Sequence, residues 1–204
     1  MIPIVLHGIT NQTDALAAAR LGVTGLGFHL HTEDPRYIEF TLAKTIIEQI
    51  PNTVHTFLES DEYELSYLQE ITRKLYLSSL LVPIHRYSRE LESLGCSITL
   101  TGTTSEFLAG EGKYGGATIV PEDLPLSRFL QAEKDMQQQM KALNQQHFLL
   151  LACDVHPDAL PDIFAKIQPA GIILEGQTES RTGLQEYSLI HQYVASLGRI
   201  VTRV

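Results

Sequence analysis

The sequence predicts a (β/α)₈ barrel, and three observations predict it. Short β-branched runs alternate with amphipathic stretches at helical spacing along the whole chain. Eight such runs occur, and each is followed by a helix or by a segment long enough to hold one. At 204 residues the chain sits at the small end of this architecture, which leaves no room for a second domain and gives one barrel domain over residues 1–204. A doubly wound open sheet is the alternative. It needs fewer units, and no Gly-rich dinucleotide or P-loop pattern follows the first run, where an open-sheet nucleotide binder carries it.

The first run is Ile2 to Leu6. Its helix opens at Thr10-Asn11-Gln12-Thr13-Asp14 and closes at Leu21-Gly22. Asn11 suits the N-cap, Asp14 sits where a carboxylate favours a helix N-terminus, and Gly22 suits the left-handed residue past the end. The second run, Gly25 to Leu30, leads through a polar loop to a stripe of Ala43, Ile46, Ile47 and Ile50, stopped by Pro51. Run three is Thr53 to Leu58, and its helix is expected to start at Ser60-Asp61, with Glu64 completing a capping box and Leu65, Leu68 and Ile71 buried. Run four is the short Leu75-Tyr76-Leu77, followed by a helix carrying Ile84, Tyr87, Leu91 and Leu94 before Gly95.

Run five is Ser97 to Thr101. The segment from Gly102 to Gly116 holds five glycines and little periodicity, so it reads as a loop with room for one helical turn. Ala117 to Val120 is run six, and the polar helix after it turns Phe129, Met136, Met140 and Leu143 inward. Phe148 to Ala152 is run seven, with Leu160, Ile163, Phe164 and Ile167 on its helix and Pro169 closing it. Ala170 to Leu174 is run eight, and Ile190, Val194 and Leu197 mark the last helix.

Composition narrows the function. Net charge is −9, from 15 Lys+Arg against 24 Asp+Glu, with no basic cluster of the kind a phosphate backbone rewards, so nucleic acid is not an expected partner. No stretch approaches the ~20 continuous apolar residues of a membrane span, and the N-terminus shows no signal-peptide pattern. The two cysteines, Cys96 and Cys153, have no metal-like spacing and cannot form a disulfide scaffold, which fits a cytoplasmic protein. Oligomeric state is left open, a homo-oligomer included.

In a barrel, chemistry sits on the loops that follow the strands. There Leu6-His7-Gly8-Ile9-Thr10-Asn11, Asp14-Ala15-Leu16-Ala17-Ala18, Leu26-Gly27-Phe28 and Asp34-Pro35-Arg36-Tyr37-Ile38 follow one another without a gap over about forty residues. These four pieces resemble the phosphoribosylanthranilate isomerase family, which opens K-x-C-G-I-T and continues D-A-x-x-A, G-A-D-x-x-G-F and S-x-R-Y-I. Leu151 to Leu160, Ile173 to Glu179 and Thr182-Gly183 resemble the family's later loops more faintly, and residues 60–145 match only as alternating strands and helices.

The resemblance implies a barrel that performs an Amadori rearrangement, turning an N-linked ribose phosphate into an open aminoketose phosphate. A Cys after strand one is the family's base, an Asp ending strand six is its acid, and glycine-rich loops after strands seven and eight hold the phosphate. This chain departs at each place. The Cys is His7 and the Lys before it is Val5. Pro121 follows strand six, with Glu122 and Asp123 next, and the two phosphate loops read Cys153-Asp154 and Glu175-Gly176-Gln177. Arg36, a substrate-holding position in the family, is unchanged.

Carried over, the candidate site is His7 as base and Asp123 (or Glu122) as relocated acid. Gly8, Arg36, Asp154, Glu175 and Gly176 stand around a small molecule at the C-terminal face. An imidazole can serve as a general base. Arg36 is read either as an anion clamp or as a loop ion pair to Asp34, Glu33 or Glu39. At an effective dielectric of about 20, like unit charges 4 Å apart repel by roughly 4 kcal/mol. A phosphate facing Asp154 or Glu175 is therefore disfavoured unless that side chain points into solvent or Arg181 or Lys113 folds over it. The expectation is a degenerate site whose original activity is lost or changed. The alternatives are a barrel that binds a ligand or partner without catalysis, and a barrel enzyme with new chemistry on His7, Asp154 and Glu175. His29, His31 and His55 could join His7 and the two carboxylates in a mixed metal site, but scattered histidines are ordinarily surface or core residues, so neither a metal nor another cofactor is expected. Tyr114-Gly115-Gly116 matches a family motif only if strand six lies elsewhere.

Overall fold

The computed structural model describes residues 2–60, 62–110, 117–122 and 134–201. Lys113, Tyr114-Gly115-Gly116, Asp123 and Phe129 lie outside the described residues.

Eight parallel strands close on themselves in sequence order, β1 pairing with both β2 and β8. They are β1 (Ile4–Leu6), β2 (Gly25–His29), β3 (His55–Glu59), β4 (Ser79–Pro83), β5 (Ser97–Gly102), β6 (Thr118–Pro121), β7 (Phe148–Ala152) and β8 (Gly171–Leu174). The helices are α1 (Gln12–Leu21), α2 (Phe40–Ile47), α3 (Leu65–Leu75), α4 (Thr104–Ala109), α5 (Lys134–Gln146), α6 (Leu160–Ile167) and α7 (Tyr187–Val201). Among the described residues, no helix is long and apolar enough to cross a membrane.

Alternation along each strand divides the core in two. One face of every strand packs under the helices, with Ile4, Leu6, Leu26, Phe28, Leu58, Leu80, Leu149 and Ile172 buried there. The other face fills the barrel axis with Val5, Val120, Leu150 and Ile173, against which Phe57 packs. Two residues further along, the same inward parity reaches the C-terminal rim. It turns His7, His29, Glu59 and Glu175 toward a shared cavity.

Local chemistry explains the element ends. Asn11 Oδ1 accepts the Asp14 N–H at 2.9 Å, and Gly22 closes α1 with φ 100°. All four inward residues expected of α6 (Leu160, Ile163, Phe164 and Ile167) are buried, and a 3₁₀ turn at Pro157–Ala159 precedes that helix.

Three expectations are corrected. Leu75-Tyr76-Leu77 is not a strand: Leu75 ends α3, and Tyr76 turns the chain in the left-handed region at φ 49° with its ring in solvent. Strand four is the next apolar run, Ser79–Pro83, and the expected helix beyond it is a pair of 3₁₀ turns, Ile84–Arg86 and Arg89–Leu94. The glycine-rich loop contains α4, whose Thr103 and Glu106 form a reciprocal capping box. The helix expected to start at Ser60-Asp61 begins instead at Leu65 with Glu64 at its N-cap, and Ser60 Oγ accepts the Glu62 N–H in the turn before it, while Asp61, which opens the expected capping box, lies outside the described residues.

An antiparallel pair, β9 (Glu179–Arg181) and β10 (Leu184–Gln185), interrupts the path from β8 to α7. Thr10 Oγ1 donates to Gly183 O at 2.6 Å, which pins this hairpin to the loop after β1. Asp14 reinforces the same junction. Its buried carboxylate accepts from Asn11 Nδ2 at 2.8 Å, Gln185 N at 3.0 Å and the Tyr187 hydroxyl at 2.7 Å.

Candidate active site

The barrel mouth is a cavity of about 330 Å³ whose lining includes His7, His29, Asp34, Glu59, Glu122, Ile173 and Glu175. His7 and His29 are almost fully buried, and their rings meet edge to face with centroids 4.3 Å apart. Gly27 makes this possible, since a Cβ there would fall 1.7 Å from His7 Cδ2.

Glu175 stands at the centre. Its carboxylate lies 3.6 Å from His7 Nδ1, 3.5 Å from His29 Nε2 and 3.7 Å from Arg36 Nη1. On its other side the His29 ring presents Nδ1 to Glu59 at 3.4 Å and to Asp34 at 3.9 Å. Burial alone would lower the His29 pKa, but Glu175 and Glu59 outweigh it and raise it from 6.5 to about 9. The same contacts, with His29 first and His7 next, hold the Glu175 carboxyl well below the usual carboxylate range. His29 lowers Glu59 as well. The site thus carries an imidazolium between two carboxylates, a proton donor and acceptors side by side.

Arg36 sits beside this cluster in a clamp of its own. Its Nε donates to Glu179 Oε1 at 2.7 Å and its Nη2 to Glu179 Oε2 at 3.2 Å, and Glu179 is the first cause of its raised pKa. The Glu179 side chain is only 5% exposed and that of Arg36 19%, so this fork-to-fork pair is largely shielded from solvent. Gly8 and Gly176, at φ 81° and 80°, let the guanidinium pass. A Cβ would fall 2.3 Å from Arg36 Cδ at Gly8 and 2.9 Å from Nη2 at Gly176.

The structure therefore brings His7, Gly8, Arg36, Glu175 and Gly176 together. It does not bring Asp154 with them: that side chain is exposed, and Cys153 beside it is buried. Glu122 lines the cavity, whereas Asp123 lies outside the described residues. Of the histidines, only His29 joins His7. His31 accepts the Glu33 N–H in an exposed turn, and His55 begins β3 at the opposite rim. Arg36 pairs with Glu179 and Glu175 rather than with Glu33 or Glu39, while its own N–H donates to Asp34 Oδ1 at 2.6 Å. Sequence reasoning missed two members. Glu59 was open to discovery, because it follows inward-facing Phe57 by two residues at a strand end. Glu179 was not, because only the hairpin carries it back to Arg36.

The relatives of this chain agree with its motifs. No protein-family model matches it. The N-(5'-phosphoribosyl)anthranilate isomerase of Chlorobium phaeobacteroides is 33% identical over 93 residues, a match that spans 44% of this chain and 42% of that protein. The isomerases of Trichlorobacter lovleyi and Chlorobaculum tepidum are 23% and 24% identical, with 95% and 97% of this chain and 97% and 95% of theirs covered. Among solved structures, phosphoribosyl anthranilate isomerase from Thermotoga maritima superposes with a TM-score of 0.80 at 16% identity, covering 98% of this chain and 100% of that one. An isomerase complexed with reduced 1-(o-carboxyphenylamino)-1-deoxyribulose 5-phosphate gives 0.80 at 15% identity over the same shares. A shared barrel, relatives matched over nearly the full length and gapless motifs around the first two strands make this chain similar to the phosphoribosylanthranilate isomerases in fold and in its first two loops.

Proposed function

We propose that this barrel receives a small molecule at its C-terminal mouth but no longer a sugar phosphate, the family rearrangement having been lost or changed. The observation that supports this most is the inward Glu175 carboxylate, held by His7, His29 and Arg36. A phosphate brought to about 4 Å of it meets a repulsion of roughly 4 kcal/mol per pair of unit charges at an effective dielectric near 20. Arg36 is the natural counterweight, but its fork is already closed on Glu179. Asp34, Glu59 and Glu122 add negative charge around the same cavity.

What such a mouth offers is proton transfer to a neutral or cationic ligand. His29, protonated at neutral pH, can donate, and the Glu175 carboxylate stands 3.5 Å from its Nε2 as an acceptor. The deciding experiment is calorimetric titration, in the presence of a chelator, with ribulose 5-phosphate, inorganic phosphate and unphosphorylated ribulose. Neither phosphorylated ligand is expected to saturate the protein up to about 1 mM, an affinity of only ~4 kcal/mol. Micromolar binding of either refutes the proposal.

A second reading keeps the isomerase activity. It is favoured by His7 at the end of strand one, by Glu122 in the same cavity as a relocated acid, with Asp123 as the other candidate, and by the names of the relatives. Arg36 would then have to leave Glu179 to clamp substrate. Growth of an isomerase-deficient tryptophan auxotroph carrying this gene supports that reading, and failure to grow removes it.

A further inference from the structure

We propose that the mouth is also a metal site, in which His7, His29 and Glu175 ligate one divalent transition cation of the zinc class. One nitrogen from each imidazole and one oxygen from the carboxylate all lie within 4.8 Å of one another. Ligand atoms 2.0–2.1 Å from a tetrahedral zinc stand about 3.4 Å apart, and the two carboxylate oxygens of Glu175 stand near that separation from one imidazole each, Oε1 3.5 Å from His29 Nε2 and Oε2 3.6 Å from His7 Nδ1.

Two further observations point to a ligand and not to an ordinary polar cluster. Both imidazoles are buried, 2% and 3% exposed, and His29 Nε2 makes no hydrogen bond although it faces the carboxylate. The second is the far side of His29, where Glu59 stands 3.4 Å from Nδ1. A carboxylate behind a histidine fixes the tautomer that leaves Nε2 free to ligate and orients the ring toward the metal. Imidazole with carboxylate selects the zinc, iron and nickel group over magnesium and calcium, which prefer all-oxygen shells. The adjoining cavity leaves coordination positions open to water or ligand, as catalytic sites do and structural sites do not.

This inference deepens the reading of the mouth as a place for cations and rests on it. The probe is Co²⁺, whose visible absorption reports its ligands, titrated into chelator-stripped full-length protein. One equivalent is expected to bind with a visible band. Glu175→Gln and His29→Gln are each expected to weaken binding at least ~10-fold, as loss of a ligand or its support does. Substitution His156→Ala, at an exposed surface pair with Asp158, is expected to change nothing. Circular dichroism confirms that each variant is folded, and if His29→Gln is not, Glu175→Gln alone decides. Absence of saturable binding, or binding that survives in folded Glu175→Gln, overturns the site. The two proposals fail separately: phosphate binding in chelator sinks the reading of the mouth, whereas lack of Co²⁺ binding with phosphate still excluded sinks only the metal.

Discussion

Replacing Glu175 by Gln removes one negative charge from the mouth while keeping the shape of the side chain, and it puts the charge argument to a quantitative test. In the wild type this carboxylate stands 3.7 Å from Arg36 Nη1 and beside Gly176. An inorganic phosphate is taken to sit about 5 Å from Glu175. At an effective dielectric near 20 that costs about 3 kcal/mol per unit charge and roughly twice that for a dianion. The Glu175 side chain is 41% exposed, so solvent and salt remove about half, leaving ~3 kcal/mol. Glu175→Gln is therefore expected to tighten phosphate binding by roughly a hundredfold. The assay is calorimetry or ³¹P line broadening in chelator at low salt, with a thermal melt as the fold control. An affinity within about threefold of wild type would refute the reasoning, because it would mean that Glu175 does not set the charge preference of this pocket.

Other perturbations follow from the same geometry. Gly27→Ala drives a methyl group into the His7 ring 1.7 Å away, so it is expected to cost about 2–3 kcal/mol in urea unfolding and to displace His7. A loss below ~0.5 kcal/mol would show that the ring has another resting place. Asp14→Ala deletes the acceptor of three hydrogen bonds and orphans the Gln185 N–H. About 3 kcal/mol of lost stability is expected, while Tyr187→Phe, which removes one of the three, should lose about 1. Burial pushes the Cys153 thiol up to about 12. A folded-state pKa above the unfolded value gives stability that is whole below about pH 8.5 and drains as pH rises toward 12. At pH 10.5 the wild type should have lost roughly 2 kcal/mol more than Cys153→Ala has, compared by denaturant midpoints at pH 8 and 10.5. Parallel losses in the two proteins would show that the thiol is not what titrates.

The strands that the sequence makes legible are those where an apolar run has only one interpretation. Phe148 to Ala152 is bounded by polar residues before it and a Pro-containing turn after it, and the strand occupies that same range. The fourth unit is different. Leu75-Tyr76-Leu77 and Leu80-Leu81-Val82 are two short apolar runs separated only by Ser78 and Ser79, and periodicity cannot tell the end of a helix from the start of a strand at that length. Barrel closure decides it, because Ser79–Pro83 has both β3 and β5 as partners. The candidate site divides in the same manner. His7 and Glu175 were readable from position, one step beyond strands one and eight. Asp154 has the same sequence credentials as Glu175 but faces outward, since the chain after β7 turns through Cys153 and Val155, which are buried in its place. Which of two adjacent loops delivers its carboxylate inward is set by the path of the loop, and no pattern of residue types encodes that path.

Arg36 carries the clearest lesson about inherited motifs. Arg36-Tyr37-Ile38 match the R-Y-I of the family that this chain resembles, which invites the conclusion that a ligand of that family is held here. The structure supplies a different reason for an arginine here. A guanidinium threaded between two positive-φ glycines and 19% exposed needs an anion, since a buried unpaired charge is strongly destabilising. Glu179, reaching back from the hairpin after strand eight, is that anion, and Glu175 adds a second contact. An internal carboxylate can thus satisfy the arginine that an external anion would otherwise satisfy, and the residue remains necessary to the fold whether or not any substrate arrives. Glu179→Gln separates the two roles. If Arg36 is there for the fold, the substitution weakens stability and leaves the site silent; if it is there for a substrate, freeing its fork raises anion affinity at the mouth even while Glu175 is intact.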